Sequence, residues 1–419
     1  VEGSLSPGAL SVGALALVIV ASFTSRVNVG VLAVALAWPI ALYVAGWPAK
    51  ELVAAFPSSL FVTLLGVTLL FGAAQANGTM AAVTHAALRT ARGSAALLPA
   101  LIFGLSCAIS TLGPGAIATS ALMAPLAMTA AHRAGIPALL AALMVGNGAN
   151  AGNLSPFSAV GVIVSKFMGE AGLGGHEWRV WAANFAAHAL AAAAAWAMFG
   201  GPGLLRGGRV AIVDDGGRLE ARHRLTLGVL GAWIVAVVFF GADLGFSAFA
   251  GAAMLVIARL ADDSGMVRAV PWNVVVMVCG VSVLIGVLDK TGGMDLFTTA
   301  LANISTPATV NGVIAFVTGL ISTYSSTSGV VYPAFLPAVP GLVQKLGGGD
   351  PLQIALSINV GAALVDVSPL STIGALCIAA LPAGSEDPVR LFRRLLAWGL
   401  AMTVVGALWC LAFIRFFAA

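Results

Sequence analysis

Apolar stretches follow one another along almost the whole chain, and their lengths and interruptions predict its elements. Ten have the ~20 residues that a helix needs to cross a bilayer: about 8–25, 27–46, 56–77, 137–168, 180–199, 225–241, 244–260, 272–289, 351–382 and 393–416. Two of these, 137–168 and 351–382, exceed a simple span and carry polar interruptions, the sequence sign of a helix broken in mid-membrane. Two further apolar stretches, 95–131 and 309–345, hold Ser, Thr, Gly and Pro at their centres and read as re-entrant helical hairpins. Such loops survive at membrane depth only where protein or a water-filled cavity surrounds them. The one sizeable hydrophilic stretch, 201–224, with Arg206, Arg209, Asp214, Asp215, Arg218, Glu220, Arg222 and Arg224, reads as a linker between two halves. The chain opens at Val1 without Met, so its natural start is expected to have been trimmed, and no separate signal peptide is read before the first span.

Comparing the halves uncovers an internal repeat. GANAGNLSPFSAVG at 148–161 matches GAALVDVSPLSTIG at 361–374 with six identities: Gly148/Gly361, Ala149/Ala362, Ser155/Ser368, Pro156/Pro369, Ser158/Ser371 and Gly161/Gly374. At an offset of one residue more, Pro57 meets Pro271, Gly72 meets Gly286, Gly78 meets Gly292 and Met80 meets Met294. Each half is expected to contribute two helices, a third followed by an amphipathic arm, a hairpin, a broken helix and a closing helix. Five spans per half is an odd number, so the second half enters from the opposite face and the repeats are inverted.

Composition then excludes whole classes. Of 419 residues 60% are apolar and 9% charged, with mean hydropathy +1.02, where a soluble domain carries roughly a quarter charged residues. A soluble enzyme is excluded, and no alternating short strands suggest a β-barrel. The 50 glycines point to helices packed through small residues. Cys107, Cys279, Cys377 and Cys410 sit singly in apolar runs and read as buried side chains rather than a disulfide framework or metal cluster. A net charge of +4 is too small to argue for nucleic acid, and no GxxxxGK[ST] loop for nucleotide is present. Counting Lys and Arg by side puts fourteen on one face and six on the other. The richer face is expected to be cytoplasmic, with both termini outside a bacterial inner membrane.

The candidate chemistry lies in the hairpins and breaks. Hairpin one carries Ser110, Thr111, Gly113, Pro114, Gly115, Thr119 and Ser120, and hairpin two carries Ser322, Thr323, Tyr324, Ser325, Ser326, Thr327, Ser328 and Gly329. The first broken helix offers Asn147, Asn150, Asn153, Ser155 and Ser158, and the second Asn359, Asp366, Ser368, Ser371 and Thr372. Small hydroxyls and amides beside Gly and Pro expose backbone carbonyls for a hard cation and backbone N–H groups for carboxylate oxygens. Asp366 is the one acid in this centre, either a cation ligand, a protonatable coupling group or a structural carboxylate; its repeat partner is Asn153. His85, His132, His176, His188 and His223 have no metal-ligand companion at helical spacing and read as interfacial or packing residues.

PWNVVVMVCGVSVLIGVLDKTGGMD at 271–295, the polar hairpins and the two Ser-Pro breaks resemble the ion-transporter superfamily, near its divalent-anion/sodium symporters. GNGANAGNLSP at 146–156 looks most like the bacterial malonate-carrier (MatC-type) dicarboxylate branch. The resemblance implies an all-α elevator transporter, a homodimer whose scaffold helices (8–46 and 225–260) stay fixed while transport parts (56–168 and 272–382) carry substrate. In the sodium-coupled relatives a Ser-Asn-Thr signature at each hairpin tip binds carboxylate and sodium, helped by a Gly-Ser/Thr-Pro turn. By position, Gly115 and Ala116 occupy the first signature with Thr111 one turn earlier, and Thr327, Ser328 and Gly329 the second with Thr323 one turn earlier. Neither signature Asn is present. The expected substrate set is Gly115, Asn150, Ser155, Pro156, Thr327, Ser328, Ser368 and Pro369. The expected cation set is Thr111, Asn153, Thr323, Ser326, Ser328 and Asp366, for Na+ with H+ as the alternative. The function expected is symport of a small dicarboxylate. The rivals are the membrane subunit of a tripartite transporter and a cation/proton antiporter; an intramembrane enzyme lacks a nucleophile with a base.

Overall fold

The computed structural model describes residues 6–25, 27–88, 96–204, 219–382 and 384–419. Linker residues 205–218, and Arg26, Arg89 and Arg92 of the charge count, lie outside these. Every regular element among the described residues is helical, as a chain in hydrocarbon requires, because lipid offers its backbone no hydrogen bonds. Four helices are long and apolar enough to cross a membrane by length and composition: Ala49–Ala76, Glu177–Met198, Trp272–Lys290 and Pro388–Phe413; seven more are apolar but shorter. The outer surface is itself apolar: Phe239, Phe240 and Ile257 are each more than three-quarters exposed. That is the surface of a multi-pass membrane protein.

The helices follow one another along the chain in this order. Pro7–Thr24 and Val29–Pro39 open the chain, Ser58–Ala76 leads into the arm Thr79–Leu88, and Leu98–Leu112 with Gly115–Arg133 forms hairpin one. Ala138–Gly152 and Ala159–Glu170 are the two parts of the first broken helix, closed by Glu177–Met198. The second half runs Ala221–Phe240, Leu244–Ile257, Trp272–Lys290, the arm Gly293–Asn303, hairpin two, the broken pair Pro351–Leu364 and Thr372–Ala379, and Pro388–Phe413. Two differences have physical reasons. Hairpin two returns in pieces, Thr327–Val331 with Tyr332–Phe335 and then Val339–Leu346, because Pro337 and Pro340 lack the N–H that would continue the helix. Short helices Ala49–Ala54 and Asp263–Ala269 precede the third span of each half, where the sequence reading had none; Asp262 caps the latter through the Gly265 N–H at 2.7 Å.

Glycine sets the closeness of the packing. A Cβ on Gly30 would lie 2.5 Å from Met277 Cα, and one on Gly280 would lie 2.6 Å from Gly30 Cα, so Val29–Pro39 and Trp272–Lys290 touch backbone to backbone. Leu244–Ile257 meets Ser58–Ala76 in the same way, a Cβ on Gly245 falling 2.7 Å from Thr63 Cα. Gly148 and its sequence counterpart Gly361 seat the broken helices on the first legs of their hairpins, where an added Cβ would fall 2.8 Å from Ser106 Cβ and 2.5 Å from Ala315 Cα. Every residue from Leu139 to Gly152 is buried, which makes Ala138–Gly152 a central rod. The four cysteines are buried and free.

Gly148→Leu should force this rod off hairpin one, at a cost of about 1–3 kcal/mol or more. Gly104→Leu, where an added Cβ meets nothing within 4 Å, should be tolerated. Size-exclusion profiles of the detergent-purified variants after graded heating check the contrast: Gly148→Leu should aggregate at clearly lower temperature.

Candidate functional site

The two breaks are built alike. In the first, the N–H groups of Ser155 and Ser158 donate to the carbonyls of Gly152 (3.1 Å) and Ser155 (3.0 Å); in the second, Ser368 and Ser371 donate to Val365 (3.0 Å) and Ser368 (3.0 Å). Ser155 Oγ accepts from the Phe157 N–H and Ser368 Oγ from the Leu370 N–H, both at 3.3 Å. Ser158 Oγ donates to the Asn153 carbonyl and Ser371 Oγ to the Asp366 carbonyl. Pro156 and Pro369 stop the helix without adding an N–H to satisfy. Gly161 and Gly374 let the next helix fold back on the Ser155 and Ser368 carbonyls, where a Cβ would collide.

The breaks differ where they meet a ligand-sized space. Ser158 Oγ also accepts from the Gly161 N–H at 2.9 Å and so caps the Ala159–Glu170 helix. Ser371 makes no such cap; its hydroxyl turns back to the Asp366 and Ser368 carbonyls, each at 2.8 Å. Phe157 is wedged against Trp178 and Trp233, with ring centroids 6.0 and 6.3 Å away, whereas its counterpart Leu370 is nearly half exposed, in the wall of a cavity.

That cavity has a volume of about 350 Å³. Asn153, Ser326, Thr327, Ser328 and Asp366 of the expected set line it together. The Asp366 carboxyl faces the hydroxyls of Ser371 and Thr327. Three helices begin at its wall: Ala116 and Ile117 belong to the first turn of Gly115–Arg133, Thr327 and Ser328 to that of the Thr327–Phe335 stretch, and Thr372 and Ile373 to that of Thr372–Ala379. First-turn N–H groups have no partner within their own helix and carry partial positive charge. One of them is already engaged, the Ala116 N–H donating to Asn153 Oδ1 at 2.9 Å. No Lys, Arg or His lines the cavity among the described residues, and no group of three His, Cys, Asp or Glu stands together there or elsewhere among them. A cation held here would use the Asp366 carboxylate with hydroxyl, amide and carbonyl oxygens, a donor set suited to a hard cation.

The remaining expected residues stand behind the wall. Ser155 Oγ donates to the Thr111 carbonyl and ties the first break to hairpin one. Gly115, with φ +75°, turns the tip and sits 3.4 Å from Asn153 Oδ1 measured from an added Cβ. Thr323 Oγ1 donates to the Gly319 carbonyl at 2.9 Å, inside hairpin two. Ser326, itself in the cavity wall, caps the next stretch through the Gly329 N–H at 3.0 Å. Pro156, Ser368 and Pro369 shape the breaks, and Asn150 is fully enclosed on the central rod. The sequence reading missed Ser22, Asn273 and Met277, which complete the wall from the first span and from Trp272–Lys290; Ser325, named with hairpin two but left out of the expected sets, also lines it, and its hydroxyl accepts from Ser22 Oγ at 2.8 Å. The signal for Asn273 lay in PWNVVV, a lone amide opening an apolar span. Further along Trp272–Lys290, a second cavity of about 630 Å³ is lined by Ser282, Ile285, Asp289 and Lys290 together with Glu51, Lys166 and Glu170, Lys290 pairing with Glu51 at 3.7 Å.

Residues 5–153, about a third of the chain, match the family model described as dicarboxylate carrier protein MatC N-terminus. No curated protein matches the sequence. The fold is similar to that of the Alcanivorax borkumensis YdaH transporter, at 14% identity over 87% of each chain with a TM-score of 0.60. It is also similar to Neisseria gonorrhoeae MtrF, of a class of antimetabolite efflux pumps, at 13% identity over 98% of this chain and 96% of that one with a TM-score of 0.57. The chain has the fold of a membrane transporter, and its first third is similar in sequence to a dicarboxylate carrier.

Proposed function

We propose that the protein is a secondary active transporter that moves a small dicarboxylate, malonate or a C4 acid, by symport with a cation, sodium in the first place and the proton as the alternative. The observation that carries this reading is the cavity itself, where one carboxylate stands among three helix starts with no basic side chain. A dianion entering beside Asp366 meets only partial positive charges from backbone N–H groups. Bound cations would supply the rest of its compensation, so substrate and ion enter together. The resemblance of residues 5–153 to a dicarboxylate carrier supports the anion class.

In this reading the halves, 1–200 and 225–419 joined by 201–224, are inverted repeats in a bacterial inner membrane, with the termini outside and scaffold helices forming a homodimer. Movement is by elevator. The backbone contacts of Gly30 with Met277 and of Gly245 with Thr63 support a scaffold that includes Ser58–Ala76 and Trp272–Lys290, with the moving unit starting at the hairpins rather than at 56 and 272. The two cavities lie at successive levels of one helix, Met277 in one and Ile285 in the other; eight residues are about 12 Å of travel at 1.5 Å each.

Four outcomes are expected. Proteoliposomes should take up labelled malonate or succinate faster under an inward sodium gradient, or failing that a proton gradient; uptake indifferent to sodium, potassium and protons would sink symport. Asp366→Asn keeps size and most hydrogen bonding while removing charge. It should raise the sodium needed for half-maximal uptake, or, if Asp366 carries the coupling proton, flatten the pH profile at unchanged sodium dependence. Thr327→Ala and Ser328→Ala should each weaken substrate binding roughly ten- to a hundredfold, from the about 1.5–3 kcal/mol of a hydrogen bond to a charged group; wild-type affinities in all three variants would show the second hairpin to be packing. Finally, in a background without the four native cysteines, Ser328→Cys should cross-link with Met277→Cys and, if the hairpin travels, with Ile285→Cys as well. A fixed hairpin would give the first product alone.

A further inference from the structure

The central rod carries a second polar feature that the cavity does not use. Asn147 and Asn150 of Ala138–Gly152 face Asn184 and His188 of Glu177–Met198, and all four side chains are fully enclosed. Asn184 Nδ2 donates to the Asn150 carbonyl at 2.6 Å, and His188 Nδ1 lies 3.1 Å from Asn147 Oδ1. Asn147 Nδ2 is committed to the Leu143 carbonyl at 3.0 Å, so the atom facing His188 is the amide oxygen. An oxygen accepts, so Nδ1 bears the imidazole proton and Nε2 presents a bare lone pair. Among the described residues that Nε2 has no partner, and neither do Asn184 Oδ1 or Asn150 Oδ1 and Nδ2.

Polar side chains that serve only to join membrane helices satisfy one another. These four satisfy one another by half: among their own atoms, two amide oxygens and an imidazole nitrogen are left against one amide NH2, while Trp181 Nε1 on Glu177–Met198 and the Ser106 and Ser110 hydroxyls on Leu98–Leu112 are unpartnered donors as well. We propose that Asn150, Asn184 and His188 form a binding site, separate from the cavity, for a single univalent cation, held as sodium on the two amide oxygens or as a proton on His188 Nε2. Both sources share one chemistry, a unit positive charge taken up by neutral acceptors. Calcium and magnesium demand carboxylates, and this seam has none. The helices Ala138–Gly152 and Pro351–Leu364 packed against Glu177–Met198 contain no ionisable acid or base. Glu177 and Arg179 stand more than two turns from His188 on its own helix, Lys166 and Glu170 lie on Ala159–Glu170, Arg415 on Arg415–Ala418, and Cys107 on Leu98–Leu112, which reaches this helix through Phe103 and Phe185. A cation bound there would ride with the moving unit, and that coupling role alone rests on the transport reading.

The test needs no substrate, so its failure and that of the transport reading are distinguishable. Thermal unfolding midpoints of the detergent-purified full chain are measured with sodium chloride against choline chloride, at about pH 6 and about pH 8, for wild type, Asp366→Asn, Asn184→Leu and His188→Gln; Asn150→Ser replaces Asn184→Leu if that variant does not fold. A sodium-dependent rise of a few degrees that survives Asp366→Asn and is lost in the seam variant supports the site as a sodium site. Wild type gaining stability over His188→Gln as pH falls supports it as a proton site, because a group binding its proton more tightly when folded stabilises the fold at low pH. Wild type losing stability relative to His188→Gln as pH falls, with a sodium response absent or untouched by the seam variant, overturns the proposal: the histidine is then merely buried neutral and the seam is helix glue or holds water.

Discussion

A backbone interrupted at membrane depth has no water to turn to, and this fold is arranged around two such interruptions. Each is closed by its own serines: Ser155 and Ser158 in the first half, Ser368 and Ser371 in the second, bond the local carbonyls and N–H groups that the lost helical turn leaves over. Everything near them must approach closely enough to exclude lipid. That requirement explains why Gly148 and Gly361 meet the hairpins without a Cβ between them and why Gly161 and Gly374 fold back on a serine carbonyl. The conspicuous residues of the repeat are therefore those that let a helix stop and restart inside apolar surroundings.

This is why so much of the architecture was legible in the sequence. Ser-Pro within an overlong apolar run has one reading at membrane depth, and the identities shared by 148–161 and 361–374 fall on residues with a local job. The division of hairpin two after Phe335 was less legible, because a Ser- and Gly-rich tip dominates the pattern and Pro337 and Pro340 look like ordinary turn residues. The site was legible only where its residues belong to the breaks and tips: Asn153, Ser326, Thr327, Ser328 and Asp366 converge. Ser22 and Asn273 were invisible because their importance comes from which helices lie side by side, and a single polar residue near a helix end is common. Thr111 and Thr323 illustrate the reverse. Their spacing from the tips is regular, yet the Thr323 hydroxyl is held by the Gly319 carbonyl and Thr111 offers its carbonyl to Ser155.

The halves are alike in skeleton and unlike in chemistry. Asn153 and Asp366 occupy equivalent positions, one giving its side-chain oxygen to the Ala116 N–H and the other facing two hydroxyls. Phe157 is anchored among tryptophans while Leu370 stands in the cavity wall. The first break is thus held by ring contacts and a cap, while the second leaves a carboxylate at the cavity.

The uncapped start of Thr372–Ala379 has a consequence for how the protein and its cargo relate. Ser158 finishes its helix from within the chain; Ser371 does not, and the helix beyond it begins on an open face of the cavity. Under the transport function proposed above, an occupant of that face would supply the missing cap and so act as a piece of secondary structure that arrives and departs. The protein would then be most itself when loaded, each release returning one helix to an unfinished state.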